Sequence, residues 1–215
     1  IHEGPDENYV GTGKVPFRTD QWTVRWDWNI SDKDKMFVRN TYLSSREVVK
    51  PLFGVVAGGE PVGGMVSADT VTHNNHLAWN YTHTFGPSLL AEVRFGVLRW
   101  HLQGYQTDSD LSTNDEIGIP GLNIGGRMTG GLAGFVVGGP LGNLWLGPGP
   151  NNVAFPRLDL INIWQTVNNW TWAKGRHQMR FGVDLRRNQE NLFCINAHTV
   201  GYFGYDQLTT ASADV

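Results

Sequence analysis

Glu92 and Arg94, and again Asp184 and Arg186, stand two residues apart, and a carboxylate beside a guanidinium can act as an acid–base pair. On an extended chain, residues two apart share a face, so the same spacing also builds a ladder of ion pairs along a strand. Histidine offers a second chemistry. His73 and His76 lie close together, and His83 follows them in the same stretch. No H-E-x-x-H pattern and no paired cysteines accompany them, so polar strand or loop histidines are expected and no metal site is assigned. Asp108, Asp110, Asp115 and Glu116 gather in TDSDLSTNDE, and carboxylates of this kind can hold calcium. The spacing of a calcium-binding helix–loop–helix is missing, and the cluster reads as a solvated loop. Cys194 is the single cysteine, which leaves no partner for an intrachain disulfide, and it reads as a small apolar residue in FCI. G-x-S-x-G, the P-loop and the dinucleotide fingerprint are all absent. Neither an enzyme nor a cofactor is expected.

The elements that would carry these residues announce themselves by alternation. QWTVRWDWNI places Trp22, Val24, Trp26, Trp28 and Ile30 on one parity and Arg25 and Asp27 on the other. A polar turn around Ser31–Asp34 leads into a second strand, Met36 to Ser45, where Met36, Val38 and Tyr42 share a side with Asn40, and Arg39 falls opposite. HNNHLAWNYTHTF sets Leu77, Trp79, Tyr81 and Phe85 against Asn80, Thr82 and Thr84. After Gly86–Ser88, Ala91, Val93, Phe95 and Val97 alternate with Glu92, Arg94 and Gly96. The third hairpin puts Trp164, Trp170 and Trp172 on one parity, then sends Met179, Phe181, Val183 and Leu185 against Arg180, Asp184 and Arg186. One further strand is expected near Val200–Tyr205. Hairpins thus fall near 21–45, 73–101 and 158–190, separated by Gly- and Pro-rich stretches at 46–72 and 101–156 that read as long loops.

Each strand has one apolar and one charged face. A secreted soluble β-sandwich binding carbohydrate or protein would turn the apolar face into a core. A membrane barrel would turn it toward lipid and the charges toward an aqueous lumen. Strand length favours the barrel, since 9–13 residues exceed the soluble norm of about 5–6 and suit a membrane crossing. So does the clustering of Trp28, Phe85, Trp100, Trp170 and Trp172 near strand ends, as in an interfacial girdle. Short turns alternating with long loops point the same way. Three positions fit poorly: His83, Arg99 and Asn40 fall on the apolar parity.

Composition agrees. Charged residues make up 17% of the 215 residues, below the roughly 25% of soluble domains. The net charge of −3 comes with no basic block, which excludes a nucleic-acid partner. No apolar run is long enough for a membrane-crossing helix. The chain opens at Ile1 on a polar stretch and ends at SADV, and both ends read as cut from something longer.

Three stretches carry a resemblance. WDWNISDKDKMFVRNTY, WNYTHTFGPSLLAEVRFGVLR and KGRHQMRFGVDLRR resemble, in order, three hairpins of Oar-like TonB-dependent outer-membrane receptors, and GIPG in the long loop also fits. The resemblance spans about residues 20–190 and implies a transport barrel of about 22 strands closed by a plug domain. It implies energy delivered by the inner-membrane TonB complex through an N-terminal region outside this stretch. The plug is absent here, so residues 1–215 are expected to form a partial, all-β, antiparallel barrel of about seven strands. The lumen-facing charges would be Arg25, Asp27, Arg39, Glu92, Arg94, Arg180, Asp184 and Arg186. The lipid-facing and girdle residues would be Trp22, Trp26, Trp28, Trp79, Tyr81, Phe85, Phe95, Trp170, Trp172 and Phe181. The expected partners are outer-membrane lipid, the TonB complex and an unidentified ligand. A small complete barrel serving structure or adhesion is the remaining alternative.

Overall fold

The structure, a computed structural model, describes residues 11–59, 61–62, 67–139, 142–148, 155–194 and 200–206. Long strands dominate it: β1 (Phe17–Asn29), β2 (Asp34–Val48), β4 (Ala68–Gly86), β5 (Leu89–Gln106), β8 (Arg157–Lys174) and β9 (His177–Cys194). The short β3 (Gly58–Gly59), β6 (Gly134–Gly139), β7 (Gly142–Pro148) and β10 (Tyr202–Tyr205) lie between or after them. The long strands form one antiparallel sheet in the order β1-β2-β4-β5-β8-β9, each neighbour in sequence also a neighbour in space. The pairs β1–β2, β4–β5 and β8–β9 follow from turns too short to reach any other strand, while long connections join β2 to β4 and β5 to β8.

The turns lie together at one end of the sheet. In the β1–β2 turn, the Ser31 hydroxyl accepts from the amides of Lys33 and Asp34, both at 3.1 Å, and donates to the Asp34 carboxylate at 2.6 Å. The β8–β9 turn contains Gly175 at φ 60°, a left-handed conformation that a β-carbon disfavours.

At the other end the long connections do not behave as the sequence suggests. β2 and β4 run further than 45 and 73, to Val48 and back to Ala68, and β5 and β8 extend to Gln106 and Arg157. The intervening segments are not structureless loops. They hold two short helices, α1 (Gly54–Ala57) and α2 (Thr113–Glu116), and a second sheet in the order β10-β6-β7-β3. The strand expected near 200–205 is β10, and it pairs parallel with β6 in this second sheet. The main sheet therefore has six strands where about seven were expected.

Burial is divided unevenly. The small sheet and its loops form a cap with a buried centre: Ala133, Val200 and Asn114 are fully enclosed. The Asn114 side chain accepts from the Ala133 amide at 2.8 Å and donates to the Val200 carbonyl at 3.2 Å. Asn123 accepts from the Asn114 amide at 3.0 Å and donates to the carbonyls of Thr129 and Gly131. These side-chain amides satisfy backbone groups that lie outside the strand ladders. The main sheet has no second layer over its apolar face among the described residues. Trp26 stays 68% exposed, Phe181 55% and Leu185 62%.

Candidate functional site

The register fixes which side chains share a face. A single cross-strand row runs Arg25, Arg39, Ala78, Gly96, Gln165, Arg186 from β1 to β9. The next row runs Asp27, Phe37, Asn80, Arg94, Val167, Asp184. Glu92 lies two residues nearer the turns than the row of Arg94, and Arg180 lies four residues nearer. All eight charges singled out from the sequence thus occupy one face.

Three local networks organise them. Arg25 donates to both oxygens of Asp27, at 2.8 and 2.7 Å, and stacks over Phe37 at 4.0 Å. Arg94 donates to both oxygens of Glu92 at 2.8 Å, and Asn80 adds a third bond to Glu92 at 2.8 Å. Asp184 and Arg186 do not meet as the direct pair their spacing suggests. Gln165 stands between them, donating to Asp184 at 2.8 and 2.9 Å and accepting from Arg186 at 3.1 Å. Exposed pairs of this kind are screened by solvent, so they orient the face more than they stabilise it. Arg39 and Arg180 make no ion pair among the described residues. The paired groups have no nucleophile between them, and the arrangement reads as an ordered polar wall.

The opposite face carries Trp22, Trp26, Trp28, Trp79, Tyr81, Phe85, Phe95, Trp170, Trp172 and Phe181, all ten of the aromatic positions expected there. Trp26 stacks with Trp28, Trp79 with Tyr81, and Trp170 with both Phe85 and Phe181. Trp100 is a correction: it pairs with Asn74 and Ile161 on the polar parity, not in the girdle. From Met179 to Leu185 the face is apolar, a run of about 20 Å along the strand, and Arg187 follows on the same parity with its guanidinium 6.0 Å from the Trp164 ring. A tilt of 35–45° reduces the apolar run to about 15 Å, shorter than the band of about 25 Å that barrels present to lipid.

His83, Arg99 and Asn40 mark the borders of that band, whereas Asn168, opposite Val93 and Val183, lies within it. At the turn end, Asp34 receives His83, Tyr81 and Ser31 around one carboxylate. Toward the cap, the row Tyr42, Asn75, Arg99, Asn162, Gln189 ends the apolar zone. Asn40 sits just inside it and is bonded to Asn75 at 2.9 Å. Beyond that row the same face turns polar, with Arg46 paired to Asp69 and Tyr42 bonded to His73 at 2.8 Å.

A family model described as "Outer membrane beta barrel domain" matches residues 2–214. The chain belongs to this outer-membrane β-barrel family. Its place is the bacterial outer membrane, and its six-stranded antiparallel sheet is barrel wall. A soluble sandwich would require a second sheet over the tryptophans, and the described residues supply none. No curated protein and no solved structure matches the chain.

Other candidate residues of this outer-membrane barrel segment are dispersed. His73 and His76 project from opposite faces of β4, because residues three apart on a strand have opposite parity. The acidic cluster is divided: Asp110 pairs with Arg127 at 2.8 Å, and Asp115 accepts from the Gly121 amide at 3.3 Å. Asp108 is not solvated as expected. It is buried in the cap, accepts from the Leu132 amide at 2.8 Å, and burial pushes its carboxyl up to about 6. The bridging role of Gln165, the Asp34 hub and the Asn114 clamp were not foreseen. Gln165 falls on the parity opposite Trp164, Trp170 and Trp172, but a bridge between strands needs the register.

Proposed function

We propose that the chain is a wall segment of a TonB-dependent transporter of the Oar-like kind, with no covalent chemistry of its own. The observation that carries the reading is the pairing of one charged face with one aromatic face on the same six long strands. Three hairpin motifs in family order support the finer assignment. In this reading Trp22, Trp26, Trp28, Trp79 and Phe181 face lipid, and Arg25, Asp27, Glu92, Arg94, Asp184 and Arg186 face an aqueous interior. Bacterial single-chain barrels need at least about eight strands, so further strands close the wall against the free edges of β1 and β9. The cap, built from the connections opposite the short turns, lies outside the cell and makes the first contact with substrate. The plug and the TonB-contacting box belong to the full-length protein.

The test is binding of the purified periplasmic domain of TonB to the full-length protein in detergent. Saturable binding, strengthened by extracts that contain the substrate, is the expected result. Absence of binding under conditions where a known receptor binds would remove the transporter assignment and leave a structural or adhesive barrel.

A further inference from the structure

We propose that the depression over Ala78 and Gly96 on the charged face is a binding subsite for a small carboxylate-bearing solute, held by Arg39. Arg39 is half-buried, and its Nε atom is enclosed without any hydrogen-bond partner. It forms no ion pair with any described residue. Its direct cross-strand neighbour is Arg25, so like charges face each other where opposite charges would stabilise the sheet. Arg25 is neutralised by Asp27 at 2.7 Å, and that leaves Arg39 as the unbalanced charge. The nearest acid lining the depression, Glu92, is already committed to Arg94 and Asn80.

Arg39 lines a depression on this face. Ala78 and Gly96 follow Arg39 along the row and form a low floor, with Phe37, His76, Arg94 and Gln165 around it. The depression measures about 390 Å³, within the roughly 300–1,000 Å³ of small-molecule sites. Gly96 leaves room that is not demanded by packing, since an added β-carbon would meet nothing nearer than the Leu77 carbonyl at 3.9 Å. With Nε enclosed, the planar guanidinium has its Nη edge to offer a planar carboxylate, which accepts two parallel bonds. A single uncommitted positive charge suits one carboxylate better than a doubly charged phosphate. The subsite rests on the charged face being the water-filled inner wall. It does not depend on whether uptake is energised.

The test uses the full-length protein, free of other cysteines, in outer-membrane vesicles, with Gly96→Cys labelled by anionic and cationic methanethiosulfonates. The expected result is labelling about tenfold faster by the anionic reagent, a field effect of one nearby charge in a medium between water and protein. Arg39→Gln is expected to abolish that preference, and succinate to slow labelling only when Arg39 is present. Should Arg39→Gln fail to assemble, Arg39→Lys keeps the charge but loses the fork: the reagent preference stays and succinate protection weakens several-fold. Equal rates with both reagents, or a preference that survives Arg39→Gln, would overturn the subsite. So would a cysteine shielded until Arg39 is replaced, because a carboxylate of the protein itself would then fill the site. Asn188→Cys, on the same face, reports water access separately. If it resists both reagents, the inner-wall reading fails and the subsite with it, whatever TonB binding shows.

Discussion

Asn40 and Asn75, on adjacent strands of the aromatic face, are joined by a side-chain amide hydrogen bond of 2.9 Å. They sit diagonally across the β2–β4 register, where Asn40 opposes Leu77 and Tyr42 opposes Asn75. A single asparagine there would be costly in lipid, because hydrocarbon offers no replacement partner. As a pair at the cap-side border, each satisfies part of the other. Replacing one with leucine is expected to destabilise the barrel by about 1–3 kcal/mol, the cost of an orphaned amide. Replacing both is expected to restore most of the loss. Unfolding midpoints in urea for Asn40→Leu, Asn75→Leu and the double variant measure the coupling, and simple additivity would count against the pair.

Trp79 and Ala78 are consecutive but face opposite ways. Trp79→Arg puts a cation in the middle of the apolar band and is expected to cost about 2–4 kcal/mol and reduce the folded fraction in the outer membrane. Ala78→Arg adds the same charge to the polar face and is expected to leave assembly close to wild type. The heat-modifiable gel shift of the folded barrel reads both. Equal damage from the two substitutions would contradict the division of faces.

Asp108 gives the cap a pH dependence. Its folded carboxyl titrates at about 6 because of burial, against about 3.9 in an unfolded chain. The folded cap therefore binds this proton more tightly than the unfolded chain. Cap stability is greatest below the unfolded value, falls as pH rises from about 4 to about 6, and is flat above, by 2–3 kcal/mol in all. Hydrogen exchange at the amides of Leu132 and Ala133, corrected for intrinsic rates, measures it. Asp108→Asn keeps an acceptor for Leu132 and is expected to flatten the profile. A protection that rises from pH 4 to pH 6 would reverse the sign and refute the assignment.

Much of the main sheet was legible because a strand of period two writes its face directly into the sequence. Trp22, Trp26 and Trp28 against Arg25 and Asp27 needed no partner strand to be sorted. Ion-pair spacing was a weaker guide, since Asp184 and Arg186 share a face yet are connected through Gln165 from the neighbouring strand. The cap was invisible for a physical reason. GFVVGG and GNLWLGP are short and glycine-rich, carry no clear alternation, and pair with β10 and β3, which are distant in sequence, while Asn114 clamps the neighbouring Ala133 and Val200. Asp108 looked solvated because neighbouring acids suggested a polar loop, whereas burial there depends on Leu132 and Gly131, more than twenty residues further on.

The outward orientation of the tryptophans is the claim on which the rest depends, and quenching by brominated lipids tests it most directly. Trp22, Trp26, Trp28, Trp79, Trp164, Trp170 and Trp172 share the apolar face, while Trp100 lies on the other. In vesicles of lipid brominated on the acyl chains, the tryptophan fluorescence of the protein is expected to fall to a small residue, with Trp100→Phe lowering that residue further. Fluorescence that brominated chains leave unchanged, but that aqueous iodide quenches, would put the tryptophans in water and contradict the assignment of the two faces.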